Sequence, residues 1–122
     1  MLHDHSRKYN ELTEKMKELG MHLPDTMNGF SELHRASISE GALSSKIKEL
    51  IALGIAITVR CDGCIAYHVH DSIKAGASAE EIMETIGVAI LMGGGPSVVY
   101  GCEAMEALSQ FANLEQHETA KK

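Results

Sequence analysis

The chain has 122 residues, of which 44% are hydrophobic and 23% charged, and this is the size and composition of one globular domain. Its formal net charge of −6, without a cluster of Lys or Arg, argues against a nucleic-acid-binding protein. No apolar run approaches the roughly 18 residues of a membrane-spanning helix, and the first residues lack the apolar segment of a secretory signal. We therefore expect a cytoplasmic protein that binds neither nucleic acid nor membrane.

The hydrophobic spacing predicts helices along the whole chain, with no alternating strand pattern between them. Gly20 is a predicted helix end, Pro24 a predicted helix start, and Gly93-Gly94-Gly95-Pro96 a predicted break. Ser44 and Ser78 are predicted N-caps, and Ser78 begins a capping-box sequence. The predicted helices cover approximately residues 6–19, 24–38, 45–59, 61–75, 79–92 and 97–114.

A polar tail, residues 115–122, follows the last predicted helix. The expected fold is therefore all-α, a single domain over residues 1–122 with about six helices.

The third predicted helix is apolar nearly all round from Leu53 to Val59, so this segment should be buried. A bundle of this size has few helices to cover it. Small and apolar residues near Gly95 and Val98 would also let a neighbouring backbone come close. Two interpretations stay open, a central helix covered within one chain and a helix that also contacts a second copy.

Two of the three cysteines, Cys61 and Cys64, form a C-x-x-C motif, and His68 follows it. In a reducing compartment such a pair is more often catalytic or metal-binding than structural. On a helix that starts near Cys61, the three side chains lie within about 60° of one another. His68 is four residues from Cys64 and can take its thiol proton, while the helix N-terminus favours a thiolate at Cys61. The motif therefore predicts a pair that cycles between dithiol and disulfide.

Glu49, on the preceding helix, is a candidate to orient His68 or to relay its proton if the two helices pack antiparallel. The alternative is a surface carboxylate paired with Lys46 or Lys48. A zinc site at the motif would need a fourth ligand, and ligands on one continuous helix cannot easily converge on a metal. We therefore expect neither a bound metal nor a cofactor.

The other titratable side chains are weaker candidates. His70 lies on a different helix face from His68, and Tyr67 is expected to pack with its hydroxyl at the surface. Cys102, which lies among small and apolar residues, is expected to be a buried hydrophobe. The remaining histidines are predicted to lie at the surface: His3, His5, His22, His34 and His117.

The carboxylate, the two cysteines and the histidine are spaced as E-x11-C-x2-C-x3-H. This pattern resembles the signature of the AhpD-like alkylhydroperoxidases of the carboxymuconolactone decarboxylase family. The resemblance covers about Ser44 to Leu108 and includes the helix start Gly76-Ala77-Ser78-Ala79-Glu80-Glu81-Ile82. It implies an all-helical fold that assembles into homotrimers or homohexamers.

The resemblance also implies a thiol-dependent peroxidase or a disulfide reductase that acts on a hydroperoxide or a small disulfide. Cys64 would be the peroxidatic nucleophile, activated by His68, with Glu49 in the proton relay. Cys61 would resolve the sulfenic acid by forming a Cys61–Cys64 disulfide, which an external dithiol donor then reduces. Related proteins carry a histidine just before the second cysteine. Here that residue is Gly63, which points to slow peroxide turnover or to a disulfide as substrate.

Two other functions remain as alternatives. A γ-carboxymuconolactone decarboxylase-like enzyme would need general acid and base groups but no redox pair, so the intact C-x-x-C motif argues against it. A non-enzymatic redox sensor would lack turnover, and oxidation of its thiols would change its assembly.

Overall fold

The computed structural model describes the backbone of residues 3–121 and the side chains of residues 3–113, and it contains helices but no strand over that range. The predicted all-α fold is confirmed. No helix within this range combines the length and the apolar composition needed to cross a membrane. The helices are α1 (His5–His22), α2 (Pro24–Ile38), α3 (Ser45–Thr58), α4 (Asp62–Lys74), α5 (Ala79–Gly93) and α6 (Gly95–Lys121).

Two helices are longer than the sequence pattern predicts. α1 continues through Gly20, the predicted end, and stops at His22. It stops there because Pro24 has no N–H and restricts the backbone of Leu23. α6 extends to Lys121 through the predicted polar tail, a segment that has neither Gly nor Pro to interrupt it.

The predicted serine caps fix the starts of α3 and α5. Ser44 Oγ accepts a hydrogen bond from the backbone N–H of Ile47 at 3.1 Å. Ser78 and Glu81 form the predicted capping box, in which each side chain accepts a hydrogen bond from the other residue's backbone N–H, at 3.1 and 2.8 Å. Such caps satisfy N–H groups that have no partner within the helix, and each typically contributes about 1 kcal/mol.

The hydrophobic core surrounds α3, which packs against α4, α5 and α6. Its buried side chains are aliphatic with one exception, Phe111, so the low aromatic content does not prevent a continuous core. Full burial of one Leu or Ile side chain contributes about 1.5–3 kcal/mol. The residues buried between these helices include Leu53, Ile57, Ile65, Val69, Ile82, Ile86, Ala104, Ala107 and Phe111.

The start of α1 is attached to α6 through a histidine that was predicted to lie at the surface. His5 is buried, and its Nε2 lies 3.1 Å from Glu103 Oε2, while His3 Nε2 lies 3.1 Å from the other oxygen of the same carboxylate. Burial lowers the pKa of His5 below its ordinary value, although Glu103 opposes this effect. The prediction for His5 was wrong because only the docking of α1 on α6 buries it. His117 lies outside the described side chains.

The second half of α3 is only partly buried, contrary to the prediction. Leu53 and Ile57 are buried, whereas Ile55 is 57% exposed. Ile55 lies in an open apolar groove of about 570 Å³ between α3 and α5. Exposed apolar surface of this extent marks an interaction site in soluble proteins. The groove is lined by Ile47, Leu50, Ile51, Gly54, Ile55, Thr58, Val59, Thr85, Val88, Ala89 and Met92.

We predict that a second copy of the chain covers this groove in solution. Ile55→Glu places a charge in the apolar surface and should convert the homotrimer or homohexamer, which the sequence resemblance implies, to a monomer. Light scattering coupled to size-exclusion chromatography measures the mass. Met21→Glu is the matched control, because Met21 is 82% exposed on α1 and lies outside the groove. A monomeric wild type, or an Ile55→Glu protein of unchanged mass, would contradict the prediction.

Candidate active site

A tight turn joins α3 to α4 and fixes the position of the cysteine motif. The backbone N–H of Cys61 donates to Ala56 O at 3.1 Å, and that of Arg60 donates to Ile57 O at 3.2 Å. This is the Schellman arrangement of a helix C-terminus. Arg60 occupies the left-handed position of the motif with φ of 60°. α4 ends in the same way, but there the corresponding residue is Gly76, with φ of 96°.

Cys61 and Cys64 form a disulfide at the start of α4, with their Cα atoms 5.2 Å apart. Cys61 is the N-cap residue, and its Sγ accepts the backbone N–H of Cys64 at 3.3 Å. An N-terminal helix position stabilises negative charge, so the reduced pair would lie where a thiolate is favoured. The sequence predicted this placement of the pair at the helix start.

His68 and Glu49 face each other across the α3–α4 pair. His68 Nδ1 lies 2.9 Å from Glu49 Oε2, and their side chains are 18% and 4% exposed. An ionised Glu49 can only accept, so His68 Nδ1 carries the hydrogen and Nε2 is left for another partner. The two residues lie at similar distances along the chain from the turn, as an antiparallel packing of α3 and α4 requires. The predicted contact is therefore present.

The alternative for Glu49, a surface carboxylate paired with a nearby lysine, is wrong. Lys46 pairs instead with Glu81 at 2.9 Å, and Lys48 donates to the carbonyl oxygen of Ser39 at 2.6 Å. Glu49 is buried because its position on α3 faces α4 rather than solvent.

A partly open cavity of about 340 Å³ lies against the motif. Cys64 and His68 line it, whereas Cys61 does not, so Cys64 is the cysteine of the pair that faces the cavity. α1 and α2 supply most of the other walls, and these walls are largely apolar. The lining residues are Leu12, Met16, Phe30, Ser31, His34, Gly63, Cys64, Tyr67 and His68.

Tyr67, which was expected to pack with its hydroxyl at the surface, is partly buried and lines this cavity. Burial raises the pKa of Tyr67, and the carboxylates of Asp71 and Glu49 raise it further. Its phenol therefore stays protonated and can donate a hydrogen bond at neutral pH. From the sequence, Tyr67 was only a weak candidate for the site. Helical spacing does not show that α2 packs near Tyr67 and forms one wall of the cavity.

Sequence reasoning missed His34 and Asp71. One side-chain nitrogen of His34 and one carboxylate oxygen each of Glu49 and Asp71 lie within 4.8 Å of one another. Among the described residues, this is the set that could hold a metal ion. His34 was predicted to be a scattered surface residue. It joins the set because α2 packs beside α3 and the His34 ring contacts Tyr67 of α4, and no spacing within one helix signals these contacts.

Cys102 is exposed on α6 and lies outside the cavity lining, so the prediction of a buried hydrophobe was wrong. The neighbouring small residues Gly101 and Ala104 face the core instead. Gly101 lies so close to α5 that a Cβ atom there would be 2.8 Å from Ile86 Cγ2. Cys102 therefore lies on the outer face of α6.

Comparison with known proteins bears on this site. The sequence profile of the carboxymuconolactone decarboxylase family matches residues 24–107, which is more than half of the chain. The chain belongs to the carboxymuconolactone decarboxylase family. The match begins at α2 and so includes the cavity wall with His34, in addition to the motif and the helices around it.

Relatives match nearly the whole chain. A carboxymuconolactone decarboxylase family protein of Legionella pneumophila is 41% identical, with a TM-score of 0.85 over 88% of this chain and 96% of that one. A member from Thermotoga maritima is 30% identical, with a TM-score of 0.73 over 85% and 95% of the two chains, and has a stated possible role in the antioxidative response. An uncharacterized protein of Cupriavidus necator is 30% identical over 86% of this chain and 93% of its own length.

Arg60 has a left-handed backbone conformation in the turn that holds the motif, and this conformation predicts how two substitutions change the stability of the protein. Arg60→Gly should raise the free energy of unfolding by up to about 1 kcal/mol, because glycine adopts positive φ without the Cβ conflict. Gly76→Ala is the matched reverse change and should lower it by about 1 kcal/mol or more. Chemical denaturation of the oxidised proteins measures both values. A destabilised Arg60→Gly protein would show that the Arg60 side chain makes a contact that stabilises the turn.

Proposed function

We propose that the protein is a thiol-dependent peroxidase that reduces organic hydroperoxides by cycling the Cys61–Cys64 pair between dithiol and disulfide. The observation that carries the proposal is the position of Cys64. It lines a largely apolar cavity together with His68, whose Nδ1 is held by the buried Glu49, and it is bonded to Cys61.

In the first step, His68 Nε2 takes the proton of the Cys64 thiol, and the thiolate attacks the terminal oxygen of the hydroperoxide. The O–O bond breaks, Cys64 becomes a sulfenic acid, and the leaving alkoxide takes the proton from His68 and departs as an alcohol. Glu49 stabilises the imidazolium that forms transiently. Cys64 loses two electrons, and the peroxide gains them.

In the second step, the Cys61 thiolate attacks the Cys64 sulfur. The S–O bond breaks, hydroxide leaves with the thiol proton as water, and the Cys61–Cys64 disulfide forms. An external dithiol then reduces this disulfide by two exchanges and becomes a disulfide itself. The cycle therefore consumes one hydroperoxide and one dithiol, with an alcohol, water and an oxidised donor as products.

The cavity supports an organic rather than a highly charged substrate. Leu12, Met16 and Phe30 form apolar walls beside Cys64, and the described residues that line the cavity include no Lys or Arg to neutralise a polyanion. An acidic lactone would need such a partner, so the decarboxylase-like alternative has less support. The possible role of the Thermotoga maritima relative in the antioxidative response is consistent with a peroxidase.

A disulfide reductase uses the same residues and is the second candidate. Gly63 favours it, because the AhpD-like proteins carry a histidine at this position, and a peroxide reaction that relays its proton through that histidine would be slow here. In that reaction the Cys64 thiolate attacks a substrate sulfur rather than a peroxide oxygen, and Cys61 resolves the mixed disulfide.

The test follows the thiols of the reduced protein by mass spectrometry after an equimolar dose of cumene hydroperoxide or hydrogen peroxide. The wild type should lose two thiols and form the Cys61–Cys64 disulfide. Cys61→Ser should accumulate a sulfenic acid on Cys64 that dimedone traps. Cys64→Ser should consume peroxide no faster than buffer does, whereas Cys102→Ser, the control for a third thiol, should match the wild type.

Other outcomes would change the assignment. A pair that stays reduced in peroxide but is oxidised by a small disulfide would contradict the peroxidase and identify a disulfide reductase. A pair that neither reagent oxidises would contradict both redox functions. Oxidation in a single round, without turnover by any added dithiol, would identify a sensor rather than an enzyme.

A further inference from the structure

Three side chains from three different helices converge beside the cavity. They are His34 of α2, Glu49 of α3 and Asp71 of α4, and one imidazole nitrogen and one oxygen of each carboxylate lie within 4.8 Å of one another. Imidazole nitrogen and carboxylate oxygen are ligands that Zn²⁺ and similar divalent transition metals bind in proteins. The three side chains are therefore a candidate ligand set.

The two carboxylates of this set carry more negative charge than their partners balance. The side chain of Glu49 is 4% exposed and that of Asp71 is 18% exposed. Among the described residues they pair with the imidazoles of His68 and His70 and with no Lys or Arg. Two carboxylates in a partly buried site repel each other unless a cation or a proton lies near them. A divalent cation between them would remove this repulsion.

His34 contributes an atom without a partner. Its Nε2 is buried and makes no hydrogen bond with any described residue. A buried polar atom that stays unpaired costs free energy, so such atoms in proteins are nearly always bonded to a polar group, a water molecule or an ion. A metal cation would satisfy this nitrogen and the two carboxylates at the same time.

Neighbouring histidines already orient the two carboxylates. Glu49 Oε2 lies 2.9 Å from His68 Nδ1, and Asp71 Oδ1 lies 2.9 Å from His70 Nδ1. Each carboxylate has a second oxygen, and metal-binding carboxylates are commonly held by hydrogen bonds of this kind. The ligand atoms of a tetrahedral Zn²⁺ lie about 3.4 Å apart, so side-chain rotations that move them by about 1 Å would bring the set to binding distance.

We propose that His34, Glu49 and Asp71 form a binding site for a divalent transition-metal cation, with Zn²⁺ as the best match to one nitrogen and two oxygen ligands. Three protein ligands leave at least one coordination position of the ion for water. The site does not depend on the proposed function, because none of its ligands is a cysteine. The sequence predicted no bound metal, since spacing within one helix cannot indicate a set whose members lie on three helices.

A cation in this site would attach α2 more firmly to the rest of the fold. α2 has no buried residue, and its large apolar side chains Phe30 and Leu33 are 54% and 61% exposed. A helix that buries so little apolar surface opens more easily than the core helices do. Because the carboxylates belong to α3 and α4, a cation that they share with His34 would join the three helices.

The experiment titrates Zn²⁺ into the oxidised protein by calorimetry and follows its melting temperature. The Cys61–Cys64 disulfide stays intact and Cys102 is replaced by serine, so that no thiol competes for the cation. The ligand variants are His34→Gln and Asp71→Asn, which put a neutral amide in place of each ligand.

His3→Gln is the matched control. His3 Nε2 lies 3.1 Å from Glu103 in a separate histidine–carboxylate contact near the start of α1. This contact tests whether a histidine beside a carboxylate is sufficient for Zn²⁺ binding.

We expect one Zn²⁺ per chain and a melting temperature that rises by several degrees when Zn²⁺ is well above its Kd. His34→Gln and Asp71→Asn should each weaken Zn²⁺ binding at least about 100-fold, because changes outside the ligand shell already cost about 10–100-fold. His3→Gln should bind Zn²⁺ as the parent protein does. Mg²⁺ at the same concentration should have no effect, since it binds oxygen ligands and water in preference to nitrogen.

Hydrogen exchange measures where the cation binds. Zn²⁺ should slow the exchange of the backbone amides of α2 in the parent protein. It should not do so in Asp71→Asn, although that substitution lies on α4. Unchanged exchange of α2 in the Zn²⁺-saturated parent protein would contradict a ligand on that helix.

Three results of the titration would overturn the inference. In the first, the oxidised parent protein shows no saturable Zn²⁺ binding, so that a proton or a water molecule and not a cation balances the cluster. In the second, His34→Gln and Asp71→Asn bind Zn²⁺ as tightly as the parent protein. In the third, His3→Gln loses the binding. The first result and the hydrogen exchange of the parent protein depend on no ligand variant, so they decide the question even where a substitution unfolds the chain.

Discussion

The contact between His68 and Glu49 is the interaction on which the site depends. A carboxylate as buried as Glu49 is strongly destabilising without a partner, and removal of one member of such a pair typically costs about 3–5 kcal/mol. The pair therefore fixes the register of α4 against α3 and also fixes which imidazole nitrogen faces the cavity. The same contact that makes Glu49 tolerable in the core holds His68 in the wall of the cavity that Cys64 also lines.

The turn between α3 and α4 is the second constraint. The end of α3 holds the backbone N–H of Cys61, and Cys61 in turn caps α4. The cysteine pair is therefore tied to the two helices that also position Glu49 and His68, and the chemistry is concentrated in one helical hairpin. α1 and α2 contribute the other walls of the cavity. They supply its apolar side chains and His34, so Cys64 lies in a cavity and not on an open surface.

Features that depend on short stretches of sequence could be predicted. The caps at Ser44 and Ser78, the Cys61–Cys64 placement at a helix start and the order of six helices all follow from local rules of spacing and hydrogen bonding. The contact between Glu49 and His68 could be predicted because a short turn leaves two successive helices little choice but to pack antiparallel.

Features that depend on packing between distant segments could not be predicted. His5 and His34 have the sequence surroundings of surface residues, and only the docking of α1 on α6 and of α2 on α3 buries their nitrogens. The prediction that the second half of α3 is buried was wrong for the opposite reason. Its apolar pattern predicted burial, either within one chain or against a second copy, whereas Ile55 faces an open groove in the single chain.

The most direct test of the central claim is the alkylation rate of Cys64 by iodoacetamide in reduced protein whose other two cysteines are serine. Glu49→Gln removes the charge that stabilises the His68 imidazolium, so the thiolate fraction of Cys64 and its alkylation rate at neutral pH should fall about tenfold. Glu84→Gln, an exposed carboxylate on α5, should leave the rate unchanged. An equal rate in Glu49→Gln and wild type would show that the Glu49–His68 contact holds the helices together without activating the cysteine.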